Sequence, residues 1–379
     1  MVYENAMVYG PDFRFHKGGF SVENGRFSSV LAAGGEPAED LSGAYVVPGF
    51  VDIHNHGNSG HDFSDGDPEG LKVIAAYLAE HGITSFAPAS VTLPEEQLRA
   101  AYQNAAAFAA EAPEGCAVLR GIHMEGPFFS EKKKGAQNGA FLQRPDYGVF
   151  LRLNEAANGL IKIADVAPEL PGAVEYVEKV AKHCVVSIAH TEANYEQAKA
   201  AIAAGATHVT HLFNAMPAFL HRAPGVVGAA AESPWVDAEL ICDGMHVHES
   251  VVRAAFAMFG AERLCLISDA LSCCGMPQGE YMLGGQKIVL DGTVARLADA
   301  PDTLAGSANN LFGIFRMALS FGIPAEAAVR MASGNPARAI GADGEIGSIG
   351  NGKRADFLVL NGDFSLRRVF LAGRERKGN

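Results

Sequence analysis

The sequence lacks the features that would place it in a membrane or in a secretory pathway. It has no run of about 18 uninterrupted apolar residues, which a membrane-spanning helix needs. Its first residues, MVYENAMVYGPDFRF, contain no basic segment followed by an apolar one, so we expect no signal peptide. Repeats of fixed period are also missing. We therefore expect a protein without membrane association.

Positive charge is scarce as well. The 379 residues include 30 Lys and Arg against 43 Asp and Glu, which gives a formal net charge of −13. Such a field repels nucleic acid, so we exclude general nucleic-acid binding. An anionic substrate would need a local cationic site that overcomes this field.

Paired cysteines are a further absence, because no two cysteines form a C-x-x-C motif. Several cysteines lie in apolar stretches, so we expect buried, reduced thiols and a cytoplasmic location. The six cysteines are Cys116, Cys184, Cys242, Cys265, Cys273 and Cys274.

Both ends of the chain show the alternation and turns of short strands. Strands are predicted at Asp356–Leu360 and Arg368–Ala372 near the carboxyl end. Residues 1–47 and 349–379 are predicted to pair into one small sheet domain, since chain termini often lie close together. The amino-terminal turns are predicted at Gly18-Gly19, Asn24-Gly25 and Gly34-Gly35.

Residues 48–348 form the second predicted domain, in which short β-rich runs alternate with helical patterns. Eight strands with intervening helices predict a parallel (β/α)₈ barrel of the TIM type. The predicted strands are Val46–Ile53, Ile83–Pro88, Ala117–His123, Ile161–Asp165, Val185–Ala189, Thr207–Thr210, Ala238–Cys242 and Arg263–Ser268. Examples of the predicted helices are Pro68–His81, Pro94–Glu111, Pro171–His183 and Asn194–Ala204, the last with an Asn194 N-cap and Gly205 after its end.

Histidines and carboxylates follow six of the eight predicted strands. Because such barrels place their active site at the carboxyl ends of the strands, these side chains are expected on one face. They are His54, His56, Glu125, His190, His211, Asp243, His246 and Asp269.

These residue types favour a site for one or two divalent ions, zinc or iron first, with manganese, cobalt or nickel as further options. His54 and His56 are two residues apart, so on a regular strand they face the same side and can hold one ion. Glu125 can bridge that ion to a second one held by His190 and His211. Taken singly, either of the last two histidines has an ordinary interpretation as a hydrogen-bonded core residue.

Several sequence blocks occur in a characteristic order: GFVDIHNHG, HMEGPF followed by KKKGAQN, HTEANY, THLFNAMPAFLHRAPGVVGA, DGMHVH, ISDA, TLAGS and a closing IGSIGNGKRADFLVL. Together they resemble the N-acetylglucosamine-6-phosphate deacetylases of the amidohydrolase superfamily, over essentially the whole chain. The resemblance implies a metal-containing (β/α)₈ barrel with a small β-sandwich made from both chain ends. It also implies a homodimer that removes acetyl from a phosphorylated N-acetyl amino sugar.

The same resemblance implies the metal ligands and the catalytic group. Asp269 corresponds to the catalytic acid and base of the family. Some members lack the first-strand histidine pair and hold one ion, whereas this chain keeps the pair, so a two-ion site is expected. The implied ligands are His54, His56, Glu125, His190, His211 and Asp269.

Substrate contacts are implied in the same way. Arg222 corresponds to an arginine that reaches from one subunit into the other's active site and binds the phosphate. Ala136 and Gln137 correspond to a pair lining the acetyl group. Some members have a histidine where Gln137 stands; a glutamine can donate a hydrogen bond to the carbonyl oxygen but cannot protonate it. The other implied contacts are Asn214, Ala215, Asp243, His246, Leu304, Ala305 and Gly306.

Two classes of alternative remain open. A related amidohydrolase could act on N-acetylgalactosamine 6-phosphate or on an N-acyl-D-amino acid. A metal-free barrel serving as a scaffold is the other class, since a fold alone does not fix a function. Such scaffolds typically lose ligand residues, whereas this chain keeps every one.

Overall fold

The computed structural model describes residues 1–31 and 37–376, so the predicted turn at Gly34-Gly35 lies outside the described residues. The predicted turn at Asn24-Gly25 is confirmed, since both residues have positive φ and join two antiparallel strands. The turn predicted at Gly18-Gly19 is wrong, because both glycines lie inside a strand. There a Cβ on Gly19 would lie 2.3 Å from the carbonyl oxygen of Tyr3, so the pair signals close strand approach. The first strands are β1 (Val2–Tyr9), β2 (Phe15–Glu23), β3 (Arg26–Val30), β4 (Ala38–Asp40) and β5 (Tyr45–Pro48).

The elements of the barrel begin directly after β5 in the chain. Its strands, together with the short hairpin β7–β8, are β6 (Phe50–Asp52), β7 (Gly57–Asn58), β8 (His61–Asp62), β9 (Ile83–Phe86), β10 (Val118–Leu119), β11 (Ile122–Met124), β12 (Ile161–Val166), β13 (Val185–Ile188), β14 (Ala206–Val209), β15 (Asp237–Leu240) and β16 (Leu264–Leu266). Its helices are α1 (Pro68–Glu80), α2 (Glu95–Glu111), α3 (Tyr147–Ala156), α4 (Ala173–Val180), α5 (Tyr195–Ala204), α6 (Gly225–Ala231) and α7 (Glu249–Arg263).

The barrel closes through two sheets joined by single bridges. β10, β9 and β6 form one parallel sheet, and β11 to β16 form a second one in sequence order. Parallel bridges between Ala89 and His123 and between Asn55 and Ala270 connect their edges. β10 and β11 occupy one position of the barrel, because the predicted strand Ala117–His123 is interrupted at Arg120 and Gly121. The predicted (β/α)₈ barrel is confirmed.

An antiparallel sheet that the sequence analysis did not predict follows β16. Its four strands are β17 (Gly279–Leu283), β18 (Gln286–Asp291), β19 (Val294–Leu297) and β20 (Ala300–Ser307). The end of β20 returns to the barrel, where Ser307 bridges Ala270. The remaining elements are α8 (Leu311–Ser320), α9 (Ala325–Ala332), α10 (Gly334–Ala339), β21 (Phe357–Leu360), β22 (Leu366–Leu371) and β23 (Arg374–Glu375).

The two chain ends form the small β domain as one eight-stranded sheet. Its order is β23-β22-β21-β5-β1-β2-β3, with β4 paired to β1. The sheet encloses its own core, in which aromatic rings contact one another; they belong to Tyr3, Phe20, Phe27, Phe357 and Phe370. The predicted small β domain is confirmed, while the domain boundaries at residues 47/48 and 348/349 stay a prediction.

The predicted single strand Val46–Ile53 is wrong. Its first half is β5, which pairs with β21 of the small domain, and its second half is β6, which pairs with β9 of the barrel. Gly49 separates the two halves, and a Cβ at this position would lie 2.1 Å from Oγ1 of Thr84. The chain therefore passes from one domain to the other at a point where a side chain does not fit.

Helix α5 begins and ends at the residues predicted from the sequence. Asn194 caps α5 by accepting a hydrogen bond from the backbone of Gln197, whose side chain accepts one in return from the Asn194 backbone. Gly205 follows the helix with φ of 121°, a value that favours glycine. Within residues 1–31 and 37–376, no helix is both long and apolar enough to cross a membrane.

Candidate metal centre

His54 and His56 lie just beyond the first barrel strand. They follow the strand, because β6 ends at Asp52, so the alternation of a regular strand does not orient their side chains. Instead, backbone hydrogen bonds join this loop to the one after β16: Asp269 donates to His54, and His56 donates to Ala270, each over 2.9 Å. The pairing places Nε2 of His56 3.2 Å, and Nε2 of His54 3.7 Å, from Oδ1 of Asp269.

A second group forms around Glu125, which follows β11. Its Oε1 lies 3.0 Å from Nε2 of His190 and 3.2 Å from Nε2 of His211. The two imidazole nitrogens are 3.1 Å apart. The ligand atoms of these three residues all lie within 4.8 Å of one another, a spacing that can hold a metal ion.

Glu125 also joins this group to the first one. Its Oε1 lies 3.7 Å from Nε2 of His54, and its Oε2 lies 3.4 Å from Nε2 of His56. The carboxylate therefore stands between two triads of ligand atoms, the position expected of a bridge. The structure brings together all six residues predicted as ligands, and each has at most 8% of its surface exposed.

The imidazoles are oriented so that Nε2, rather than Nδ1, faces the centre. Three Nδ1 atoms are hydrogen-bonded to oxygen acceptors: that of His54 to Glu239 at 2.9 Å, that of His56 to the carbonyl of Ala89 at 3.1 Å, and that of His190 to the carbonyl of Lys133 at 2.9 Å. This arrangement fixes the tautomer that metal-ligating histidines use. Within the described residues, the buried Nε2 of His54 has no hydrogen-bond partner, which fits an atom that ligates a metal.

The backbone at three of these residues adopts the left-handed region, which non-glycine residues seldom occupy. The values of φ are 43° at His190, 31° at His211 and 47° at Asp269. Such conformations cost free energy and are typical of functional sites, where the surrounding fold holds them in place. Here they turn each side chain from a strand end into the barrel mouth.

Charge coupling is strong in the centre. Burial disfavours the charged forms of Glu125 and Asp269, but the neighbouring imidazoles outweigh it and hold the pKa of both carboxyl groups below the ordinary value. Burial likewise opposes the imidazolium forms of His56 and His211, yet the carboxylates raise the pKa of each to about 9. The carboxylates of the centre therefore favour positive charge on the neighbouring imidazoles.

The geometry is that of a candidate metal site at the mouth of a (β/α)₈ barrel, and comparison with known proteins gives its family. The amidohydrolase family profile matches residues 45–376. The chain belongs to the amidohydrolase family.

Relatives within this family match the chain over most of its length. The N-acetylglucosamine-6-phosphate deacetylase of Vibrio furnissii is 34% identical over 93% of this chain and 88% of its own. The N-acetylgalactosamine-6-phosphate deacetylase of Escherichia coli O157:H7 is 32% identical over 86% of both chains. A mutant N-acetyl-D-glucosamine-6-phosphate deacetylase from Mycobacterium smegmatis, solved with N-acetyl-D-glucosamine 6-phosphate, superposes with a TM-score of 0.91 at 34% identity, covering 99% of this chain and 98% of that one. The resemblance predicted from the sequence is confirmed.

In this amidohydrolase, Gln137 lies next to the centre and both ends of its amide are engaged. Nε2 donates to Oε2 of Glu125 over 2.7 Å, and Oε1 accepts a hydrogen bond from the backbone of Thr92 over 2.7 Å. The neighbouring Ala136 is half-buried, and its carbonyl accepts a hydrogen bond from Gln286 of β18. The unpredicted antiparallel sheet thus contacts the loop expected to line the acetyl group.

Asp243 and His246 form a fixed pair on the loop after β15. Nδ1 of His246 lies 2.7 Å from one oxygen of Asp243, whose other oxygen accepts from the backbone of Met245 and His246. Burial disfavours the charged form of Asp243, but His246 and the backbone donors outweigh this effect. Together they hold the pKa of Asp243 below its ordinary value. Because Nδ1 is engaged, Nε2 of His246 remains as the atom available for a ligand.

The other predicted substrate contacts lie on neighbouring loops. The side chain of Asn214 donates to the backbone carbonyl of His211 over 3.2 Å. Ala215 adopts φ of 52°, and its carbonyl accepts from Thr191. Leu304, Ala305 and Gly306 end β20, and Ser307 donates to the carbonyl of Asp269 over 2.8 Å, so this strand lies beside the predicted catalytic residue.

Arg222 is the predicted site residue that the structure does not bring to the centre. It lies with His221 at the tip of a tight turn closed by hydrogen bonds between Leu220 and Ala223. It is exposed, and the part of the chain that the structure describes offers it no ion pair or hydrogen bond. Phe219 and Leu220 beside it are also exposed, at 48% and 55%.

Sequence reasoning missed one group that contacts the centre, Glu239. It lies on β15, is fully buried and contacts two of the predicted ligands. The signal was a carboxylate inside the otherwise apolar run AELIC, which predicts a buried charge with a specific partner. The buried histidines His123 and His208 contact the same carboxylate.

Proposed function

We propose that this amidohydrolase hydrolyses the acetamide of N-acetyl-D-glucosamine 6-phosphate and releases D-glucosamine 6-phosphate and acetate, in amino-sugar catabolism. The observation that carries the proposal is the convergence of four imidazoles on the carboxylates of Glu125 and Asp269 at the mouth of the barrel. Whole-chain similarity to deacetylases of phosphorylated N-acetyl amino sugars supports the choice of substrate.

The residues fit one or two divalent ions, zinc or iron first, with manganese, cobalt and nickel as further options. His190, His211 and Glu125 would hold one ion, and His54, His56 and Asp269, bridged by Glu125, would hold the other. Such ions supply Lewis acidity and lower the pKa of water that they bind. The orphaned Nε2 of His54 supports occupancy of the first-strand site.

Asp269 is the proposed acid and base. It is ionised at neutral pH, because its pKa lies below the ordinary value, so it can accept a proton from the attacking water. It then returns that proton to the leaving amine, which would otherwise depart as an anion. Gly306 of β20 stands close behind it, since a Cβ there would lie 3.0 Å from the carbonyl oxygen of Asp269.

The proposed substrate contacts come from several loops. Ala136 and Gln137 line the acetyl group, and His246, oriented by Asp243, contacts the sugar. Arg222 binds the phosphate, for which its planar fork of donors is suited. The remaining proposed contacts are Asn214, Ala215, Leu304 and Ala305, with Gly306.

We further propose a homodimer in which Arg222 acts in the partner's site. Its lack of a partner within the described chain and the exposed apolar Phe219 and Leu220 beside it support this arrangement. A cytoplasmic location is proposed as well, because all six cysteines are free thiols.

The C4 epimer is the main alternative, favoured by the similarity to the N-acetylgalactosamine-6-phosphate deacetylase of Escherichia coli. The test is a metal-replete assay of acetate release from both 6-phosphates, with an N-acyl-D-amino acid as a third substrate. We expect the highest kcat/KM with the glucosamine epimer. Preference for either other substrate, or no acetate release, would contradict the proposal.

Asp269→Asn in the same assay tests the mechanism. With metal content held equal, we expect a loss of at least about 100-fold in kcat, the usual contribution of a positioned acid and base. Activity near that of the wild type would exclude the assigned role.

A further inference from the structure

Glu239, on β15, contacts His54, which belongs to the first-strand triad of His54, His56 and Asp269. Its Oε2 is 2.9 Å from Nδ1 of His54 and 3.2 Å from the backbone nitrogen of His211. Its Oε1 is 3.3 Å from Nε2 of His208 and 3.6 Å from Nδ1 of His123. The carboxylate is fully buried, so each of its contacts is made out of reach of bulk water.

A carboxylate in this position determines which nitrogen of His54 is available. Because Nδ1 of His54 meets an acceptor, it carries the ring proton, and Nε2 keeps its lone pair. That lone pair faces His56 and Asp269 and has no hydrogen-bond partner in the described chain. Without Glu239, the ring is free to take the other tautomer, in which Nε2 cannot ligate.

We propose that Glu239 is a positioning residue that makes the first-strand site competent to bind a divalent ion. It fixes the tautomer and the orientation of His54, whereas its contact with His211 is to the backbone nitrogen and not to the imidazole. The proposal rests on the two-ion centre of the proposed function. It adds a residue outside the set of ligands and substrate contacts.

Asp165 provides a matched control, because it is a second fully buried carboxylate in the same histidine network. Its Oδ1 accepts hydrogen bonds from Nε2 of His123 at 2.9 Å and from Thr210 at 3.0 Å. It contacts none of the six predicted ligands. A substitution that neutralises Asp165 therefore perturbs the network to a similar degree without touching His54.

The experiment measures cobalt(II) binding by purified wild type, Glu239→Gln, Asp165→Asn and His54→Asn. Each protein is titrated against a competing chelator, and its visible absorption and metal content are recorded. We expect two ions in the wild type and in Asp165→Asn. In Glu239→Gln, which loses the charge and one of the two acceptor oxygens, one ion should bind about 10–100-fold more weakly, the usual effect of altering a hydrogen-bond partner of a ligand. The visible absorption bands of cobalt that are lost in Glu239→Gln should be the same bands that are lost in His54→Asn.

Two results with the variants would overturn the proposal: a Glu239→Gln protein that binds both ions with wild-type affinity, or an equal loss in Asp165→Asn. If Glu239→Gln does not fold, Glu239→Asp takes its place, since it keeps the charge but withdraws the carboxylate from Nδ1 of His54. A wild type that binds one ion yet releases acetate would overturn this proposal alone. A wild type with two ions and no deacetylation would overturn the proposed function alone.

Discussion

The side-chain amide of Gln137 donates a hydrogen bond of 2.7 Å to Glu125, the carboxylate that stands between the two triads of candidate ligands. The other end of the amide accepts a hydrogen bond from the backbone of Thr92, which fixes which atom faces the carboxylate. Gln137 therefore orients the candidate bridge, in addition to any contact with an acetyl group.

This relationship predicts that Gln137→Ala weakens metal binding. Loss of a hydrogen bond to a buried, charged group should lower metal affinity and kcat/KM by about 10–100-fold. Asn138→Ala is the control, since Asn138 lies in the same loop and caps only Ala140. Chelator titration with an acetate-release assay measures both quantities. Unchanged metal affinity in Gln137→Ala would restrict Gln137 to the substrate contact predicted from the sequence.

The junction of the two domains gives a prediction about stability. In Gly49→Ala, the new Cβ would lie 2.1 Å from Oγ1 and 2.4 Å from Cγ2 of Thr84, so the backbone must shift. We expect a loss of about 1–3 kcal/mol in the free energy of unfolding, as for other overpacked sites. Thr84→Ala should recover part of this loss when the two substitutions are combined.

Gly344→Ala is the matched control, because a Cβ at Gly344 meets nothing within 4 Å. Urea denaturation of the four variants and the wild type measures the coupling between positions 49 and 84. Equal stability of Gly49→Ala and Gly344→Ala would show that the junction tolerates a side chain after all.

The barrel and its six candidate ligands were predictable because one physical rule places strand ends together. Each ligand follows a short apolar run, so errors of a few residues in strand bounds do not move it to another face. His54 and His56 illustrate this: β6 ends two residues before His54, yet both imidazoles still meet Asp269.

Features that depend on contact between segments far apart in the sequence could not be predicted in this way. Gly49 and Gly18-Gly19 were ambiguous, because a glycine marks a turn or a close contact and only the fold decides which. The sheet β17–β20 did have a local signal: two-residue loops at Gly284-Gly285 and Gly292-Thr293 join its first three strands. The contacts of Glu239 could not be predicted either, because they depend on which strands lie next to β15 in the barrel.

Substitution of Arg222 should weaken binding of the phosphate group and leave binding of the sugar unchanged. Arg222→Ala is expected to raise KM for N-acetylglucosamine 6-phosphate by about 10–100-fold, the worth of hydrogen bonds to a charged group, and to leave the KM for N-acetylglucosamine unchanged. Arg253→Ala is the control, since Arg253 is another exposed arginine and is paired with Glu249 on α7. Equal effects on both sugars would remove the phosphate role.

A mixing experiment tests whether Arg222 acts in the partner's site. Arg222→Ala and Asp269→Asn proteins are each impaired, but a mixed dimer contains one site with both wild-type residues. Mixing after reversible dissociation should therefore restore activity with wild-type KM. If mixed dimers form without any recovery, Arg222 acts within its own subunit or not at all.

The coupling between protons and metal gives the last prediction. In the metal-free protein the pKa values of His56 and His211 are raised from 6.5 to about 9, because Asp269 and Glu125 outweigh the effect of burial. The folded state then binds more protons than the unfolded state between these pH values, so the stability from these groups is fully present below pH 6.5 and is lost as pH rises towards 9. Metal binding requires neutral imidazoles, so it strengthens over the same range. The difference in Tm between metal-loaded and chelator-treated protein should therefore be larger at pH 9 than at pH 6.5. His211→Asn should reduce this dependence, whereas a difference that is constant with pH would contradict the coupling.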